Sequence, residues 1–248
     1  MIQQKEKISV IIPAYNEEKN ILNTINETKK VLETTNYDYE IIIINDGSID
    51  NTAEIVKNNF NYKDYKDYKV IFEGYEPNKG KGCALKFGVN FANGDYILFM
   101  DADLDLHPRQ LMNFLNEIKK TNADAVIGSK KAKNSKVEYS LKRRILSNGY
   151  YYFIKILFGL PIQDTQTGFK LFKSGPLKEC IKKTIINGYA FDLELLVILH
   201  KKGYKIVEYP VEVTQSRLTG RIGQKDIFKV FKDTIAIFYR LYFKKFYG

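Results

Sequence analysis

Tyr96-Ile97-Leu98-Phe99-Met100-Asp101-Ala102-Asp103-Leu104-Asp105 joins an apolar run to three carboxylates at alternating positions. The run has the length and composition of a buried strand. In an extended chain side chains alternate between faces, so Asp101, Asp103 and Asp105 are expected on one side. Carboxylates that close repel one another unless a cation lies between them, which points to a hard divalent ion with oxygen ligands, Mg or Mn. An isolated Asp-x-Asp is more often a solvated acidic loop, so the surrounding residues decide its meaning.

Upstream, Ile8 to Pro13, Ile41 to Ile44 and Val70 to Phe72 are further strand-like runs, and Ala125 to Gly128 follows downstream. Segments of helical spacing separate them: Glu17 to Glu33, a helix opened by Asp50 or Ser48, one from about Gly82 to Ala92, and one starting at Pro108. This alternation predicts an α/β fold, its first half an open, mostly parallel sheet with helices on both faces. Ligands of such sheets bind beyond the carboxyl ends of the strands. Pro13-Ala14-Tyr15-Asn16-Glu17, Asn45-Asp46-Gly47-Ser48 and the Asp101 group stand at three such ends.

Charge divides the chain. Residues 1–128 carry 15 Lys and Arg against 20 Asp and Glu, whereas residues 129–248 carry 24 against 9. The net charge of +10 thus combines an acidic half with a strongly basic one. Such a half suits an anionic partner along one side: nucleic acid, an anionic bilayer or a phosphate substrate. Two basic amphipathic helices rich in Phe and Tyr are expected in it. One covers about 139–160, with Leu146, Tyr150, Phe153 and Leu157 on one stripe; the other covers 226–248, with Phe228, Phe231, Ile235, Phe238 and Tyr242. Both suit a core face or a membrane surface. The expected organisation is a catalytic domain over 1–225, split into a donor half (1–128) and an acceptor half (129–225), with 226–248 as a membrane foot.

Cys83 and Cys180 are far apart and lack CxxC spacing, which argues against a disulfide framework or a zinc site and fits a reducing cytoplasm. No apolar leader precedes Ile8 and no run reaches about 18 apolar residues, so neither a signal peptide nor a membrane span is expected. No Gly-x-Gly-x-x-Gly turn follows the first strand and no Gly-Lys-Ser/Thr is present, which argues against dinucleotide redox and P-loop chemistry. Asn78-Lys79-Gly80-Lys81-Gly82 is a basic glycine turn suited to approach a phosphate or a sugar. A carboxylate-held metal beside it is what a departing nucleoside diphosphate requires.

Val10-Ile11-Ile12-Pro13-Ala14-Tyr15-Asn16-Glu17-Glu18, Asn45-Asp46-Gly47-Ser48-Ile49-Asp50-Asn51-Thr52, Asn78 to Gly82 and Asp101-Ala102-Asp103 resemble, in order and spacing, the motifs of inverting family-2 glycosyltransferases. The resemblance implies the GT-A fold, a Rossmann-like nucleotide-binding architecture. Asp164-Thr165-Gln166-Thr167-Gly168-Phe169-Lys170-Leu171-Phe172, Gly188 to Leu196 and Glu208-Tyr209-Pro210-Val211 look like the polyprenyl-phosphate branch, and most like its dolichyl-phosphate β-glucosyltransferases. The implied reaction moves a sugar, glucose first and N-acetylglucosamine second, from a UDP-sugar to dolichyl or polyprenyl phosphate. Direct displacement by the lipid phosphate is assisted by a divalent cation, on the cytoplasmic face of a membrane.

Carried over by residue, the resemblance implies that Pro13, Tyr15, Glu17, Asp46, Lys81, Asp101, Ala102 and Asp103 bind the nucleotide sugar, with Asp46 on the base or ribose. Asp101, Asp103 and Asp105 would hold the metal, although relatives often have Gln in the third place. Ser129, Lys130, Arg143 and Ser147 would take the acceptor phosphate; Arg143 and Ser147, four apart, share a helix face. Lys130 stands where relatives have Arg, keeping the charge without the bidentate fork. Asp103, Lys130 and Arg143 are the implied catalytic groups, and Gln166 and Asp192 approach the sugar or acceptor. Glu194 is placed with Asp192, on the sugar hydroxyls or at the helix dipole. An acceptor that is already an anion demands no general base, so His107 and His200 are read as structural. The chain has no Trp, so any stacking falls to Tyr or Phe, Tyr189 included. Competing readings are a GDP-mannose enzyme and a polysaccharide or protein glycosyltransferase. A nucleotidyltransferase lacks here its arginine-bearing glycine loop after the first strand. A non-catalytic protein docking on membrane or nucleic acid would leave the acidic motifs idle, and nucleic acid is not an expected partner.

Overall fold

Ile41 to Ile44 carries no polar residue on either side because both faces of its sheet are covered, the usual condition of parallel strands. In a computed structural model that describes residues 5–60, 69–135, 141–214 and 224–247, seven strands form one sheet. They are β1 (Lys7–Ala14), β2 (Asp38–Asp46), β3 (Val70–Tyr75), β4 (Tyr96–Phe99), β5 (Ala125–Ser129), β6 (Lys170–Lys173) and β7 (Ile206–Pro210). Their order across the sheet is β3-β2-β1-β4-β6-β5-β7. All neighbours run parallel except β6, which is antiparallel to both β4 and β5.

Helices α1 (Ile21–Glu33), α2 (Thr52–Asn59) and α4 (Leu111–Thr121) cover one face, and α3 (Lys81–Val89), α5 (Leu141–Phe158), α6 (Ser174–Ile181), α7 (Phe191–Lys201) and α8 (Gln224–Tyr242) the other. Alternate strand residues feed two cores. Val10, Ile12, Ile41, Ile43 and Leu98 pack towards the first set, and Ile11, Ile42, Ile44, Ile97 and Phe99 towards the second. The expected α/β architecture is therefore formed, with every strand read from the first half in place.

The departures have local causes. The first helix starts at Ile21 rather than Glu17, because Glu17 lies in the entry turn, where its carbonyl accepts the N–H groups of Asn20 and Ile21, each at 2.9 Å. β6 and β7 were not foreseen, since Lys170-Leu171-Phe172-Lys173 and Ile206-Val207-Glu208-Tyr209-Pro210 are short and lack clean alternation. α7 is buried all round from Phe191 to Leu199, as suits the central helix of a large core.

The two amphipathic helices pack on each other through stacked Phe153 and Phe231, 5.1 Å apart, and through Tyr150 Oη and Thr234 Oγ1 at 3.0 Å. On α8 the buried contacts are Thr234 and Ile237, while the expected stripe residues Phe228, Phe231, Ile235 and Tyr242 are exposed. The helix thus sits on the core by one face and presents aromatic residues on another.

Leu98→Ala, in the fully buried middle of β4, is expected to lower unfolding free energy by about 2–5 kcal/mol, as read from equilibrium urea denaturation.

Candidate active site at the sheet edge

Parallel β1, β2, β4 and β5 deliver their carboxyl ends to one edge, and reversed β6 delivers its beginning there. The β1 and β2 exits are laced together. Asn16, at φ +54°, accepts from the Ile49 N–H through Oδ1 at 3.0 Å and donates its own N–H to Ser48 Oγ at 3.0 Å, while the Glu17 N–H reaches Thr52 Oγ1 at 2.8 Å. Beside them Tyr15 is exposed, whereas the Glu17 side chain turns inward and accepts from Asn20 Nδ2 at 2.8 Å.

Asp46 is buried, and its carboxylate organises the glycine turn. Oδ1 accepts the Lys79 N–H at 2.9 Å; Oδ2 accepts the Gly80 N–H at 2.9 Å and Asn78 Nδ2 at 2.8 Å. Both oxygens thereby hold the turn; an ionised carboxylate has about four acceptor sites, so these bonds are compatible with the base or ribose contact that the resemblance implied. Gly80, at φ +97°, adopts a conformation few other residues reach, and a Cβ there would lie 2.6 Å from the Asn187 carbonyl oxygen. The turn leads into α3 at Lys81, whose Nζ lies 2.5 Å from Asp101 Oδ1.

Asp101 is the centre of a charge alternation. Burial alone would raise its carboxyl pKa, but the charges of Lys81, Lys170 and Lys130 hold it below the usual carboxylate range. Burial would likewise lower the Lys81 ammonium, and attraction to Asp101, Asp192 and Asp103 outweighs it and keeps the group charged. Lys170, almost wholly buried, donates to Asp192 Oδ1 at 2.6 Å and to the Thr167 carbonyl. Gly168 presses on this group so closely that a Cβ would fall 1.8 Å from Asp101 Oδ2.

The three aspartates do not converge as the extended reading expected. The strand ends at Phe99, residues 102–103 form a turn and Leu104 takes φ +57°, so the backbone swings away. Asp103 Oδ1 accepts the Asp105 N–H at 3.2 Å, and the Ala102 carbonyl is tied to α1 by Thr24 Oγ1 at 2.7 Å. Among the described residues, no three Asp, Glu, His or Cys side chains are close enough to share an ion.

At the end of β5, Ser129 is buried and receives the Lys131 N–H at 3.3 Å, and the Lys130 N–H donates to Asp164 Oδ2 at 3.0 Å. Lys131 reaches the Ser147 carbonyl at 2.7 Å, and burial pushes its ammonium below the ordinary value. It lines a small pocket of about 70 Å³ with Ser147, Tyr151, Ile162, Asp164 and Gln166. The Arg143 side chain lies outside the described residues. His107 accepts the Arg109 N–H at 3.1 Å through Nδ1 and opens the turn before α4, a structural place. Lys170 and Asn187 escaped the sequence reading. A lone lysine between Phe169 and Leu171 was the available signal for the first; nothing local marked the second.

The family model of glycosyl transferase family 2 matches residues 9–181, which contain every motif at this edge up to β6. The chain belongs to glycosyl transferase family 2. This glycosyltransferase is 34% and 35% identical, over 94% of its length and 74% of theirs, to two dolichyl-phosphate beta-glucosyltransferases of Trichomonas vaginalis. It is 31% identical to that of Dictyostelium discoideum, over 84% of this chain and 66% of the other. Its GT-A fold is shared with glucosyl-3-phosphoglycerate synthase from Mycobacterium tuberculosis, crystallised with Mn2+, UDP-glucose and phosphoglyceric acid. There the TM-score is 0.67 at 20% identity, over 94% of this chain and 79% of that one. Mannosyl-3-phosphoglycerate synthase from Rubrobacter xylanophilus gives a TM-score of 0.69 at 16% identity, over 97% and 75%.

Asp101 and Asp103 carry oxygen donors of the type a divalent cation takes. Mg and Mn favour hard oxygen ligands, and Mg is usually held by one or two carboxylates with substrate phosphates completing the shell, so Asp105 is not required. Lys81 meanwhile gives Asp101 a positive partner.

Gly168→Ala would push the Asp101 carboxylate aside, and a displacement of that size is expected to lower glycosyl transfer about 10²-fold with little change in thermal unfolding. Wild-type turnover would show that Asp101 can shift without consequence.

Proposed function

We propose that this enzyme transfers glucose from UDP-glucose to dolichyl or another polyprenyl phosphate, with inversion at the anomeric carbon. The observation that carries the reading is the 34–35% identity to dolichyl-phosphate beta-glucosyltransferases over 94% of the chain. The charge pattern at the sheet edge supports it. A phosphate oxygen of the lipid attacks the anomeric carbon, the bond from that carbon to the diphosphate oxygen breaks, and UDP leaves with the electron pair. The nucleophile is already ionised, so no side chain has to remove a proton. Lys81 is assigned to the departing diphosphate, and Lys130, Arg143, Ser129 and Ser147 to the acceptor phosphate. A cation held by Asp101 and Asp103 supplies further neutralisation of the leaving group when bound.

A polyprenyl acceptor resides in a bilayer, and the enzyme carries a face suited to one. Phe228, Phe243 and Ile156 are 72%, 70% and 82% exposed, and they lie on α8, just after it and on α5. Exposed aromatic residues flanked by Lys155, Lys229, Lys232, Lys244 and Lys245 match an interfacial surface rather than a spanning one. No described helix is long and apolar enough to cross a membrane. This reading makes the protein peripheral on the cytoplasmic side.

The test is to offer UDP-glucose, UDP-N-acetylglucosamine and GDP-mannose with dolichyl phosphate and Mn, and to identify the glycolipid by mass. Glucosyl-phosphodolichol from UDP-glucose is expected; absence of product with every donor would overturn the lipid-phosphate reading. Asp103→Asn is expected to lower the rate by about 10² or more, and undiminished turnover would remove Asp103 from the site. Serine at Phe228, Phe243 and Phe246 together should abolish flotation with anionic liposomes, and unchanged flotation would leave that face without a membrane role.

A further inference from the structure

The first turn of α7 carries two acidic residues, Asp192 and Glu194, and the helix sends them in different directions. Two residues along an α-helix rotate a side chain by about 200°, so one carboxylate points to the sheet edge and the other away from it. Asp192 joins Lys170 beside Asp101. Glu194 is fully buried, and its hydrogen-bond partners among the described residues are Ile185, Ile186, Arg240 and Tyr247, none of them assigned to sugar or phosphate.

Four donors meet its carboxylate. Oε2 accepts the N–H groups of Ile185 and Ile186 at 2.8 and 2.7 Å. Oε1 accepts the Tyr247 hydroxyl at 2.5 Å and Arg240 Nη2 at 3.2 Å, and Arg240 Nε in turn donates to the Tyr247 hydroxyl at 2.8 Å. Hydrogen bonds to an ionised carboxylate are stronger and shorter than neutral ones, so this is a rigid joint. It fastens α8 and the residues after it to the segment between α6 and α7.

That segment forms a wall of the glycine turn. Next to Ile186, the Asn187 carbonyl accepts the Gly82 N–H at 2.8 Å and its Oδ1 accepts Lys86 Nζ at 2.5 Å. Gly80 and Gly82 are both too close to this wall to carry a side chain, with Cβ positions 2.6 Å from the Asn187 oxygen and 2.5 Å from Phe191 Cβ. Lys81, between them, reaches Asp101.

We propose that Glu194, Arg240 and Tyr247 are positioning residues for the donor site: through Ile185, Ile186 and Asn187 they set the Gly80–Gly82 turn, so the segment after residue 224 serves donor binding as well as any membrane contact. The inference rests on the UDP-glucose reading, and its test separates the two. UDP-glucose binding is measured by calorimetry in detergent-free solution, and steady-state kinetics use a short, water-soluble polyprenyl phosphate, so that no membrane takes part. Glu194→Gln and Tyr247→Phe are each expected to raise the Kd and KM for UDP-glucose roughly tenfold, leaving the acceptor KM and liposome flotation unchanged. Arg240→Lys, which keeps the charge, should recover part of the loss seen in Arg240→Met. No UDP-glucose binding by the wild type would defeat the functional reading itself. Wild-type Kd in a folded Tyr247→Phe would overturn the positioning role, as would equal losses for donor and acceptor that follow a lowered melting temperature. If Glu194→Gln does not fold, Tyr247→Phe and Asn187→Ala decide by the same readouts.

Discussion

β6 runs against both of its neighbours, and because of that reversal its first residues lie where β4 and β5 end. Pairing of Phe99 and Ile127 with Lys170 places Gly168 and Lys170 beside Asp101, close enough to Lys130 for its charge to be felt there. A parallel strand in that slot would bring Lys173 to the edge instead. The absence of a side chain at Gly168 completes the arrangement, since a single methyl group would occupy the space of an Asp101 oxygen. This contact line brings together residues forty or more positions apart in the chain, Phe99 and Ile127 against Lys170.

The charges along it alternate: Asp192, Lys170, Asp101, Lys81. Removing the Lys170 and Asp192 groups from water costs several kcal/mol per ion, and buried pairs often add nothing to stability relative to apolar residues of similar size. Their placement is better accounted for by chemistry. A pocket that receives a sugar diphosphate needs ionised carboxylates and ammonium groups in fixed positions before the ligand arrives, so that none has to reorganise during the reaction.

α8 answers two requirements with two faces. Thr234 and Ile237 are buried against the core, while Phe228, Phe231, Ile235 and Tyr242 look outward. Beyond the helix, Tyr247 returns to the interior and meets Glu194. A helix held only by its apolar stripe could slide or rotate; a buried carboxylate with four donors allows one setting.

The residue pattern alone determined the α/β class, the five strands of the first half and the loops at their ends, because continuous apolar runs and helical spacing are local properties. It also marked Asp101 and Lys81 as chemical groups, since charged residues at strand ends and glycine turns have few structural reasons to be there; Lys130 came only from the family resemblance. What it could not determine is which partner each group meets. Asp46 reads as a ligand contact, and its carboxylate also holds Lys79, Gly80 and Asn78; Glu194 reads as a companion of Asp192 yet faces Tyr247. The three aspartates from 101 to 105 alternate in sequence, but a turn at 102–103 and the positive φ of Leu104 separate them. Those outcomes depend on the reversal of β6 and on contacts between residues far apart in the chain, where packing and hydrogen-bond satisfaction, not local propensity, set the geometry.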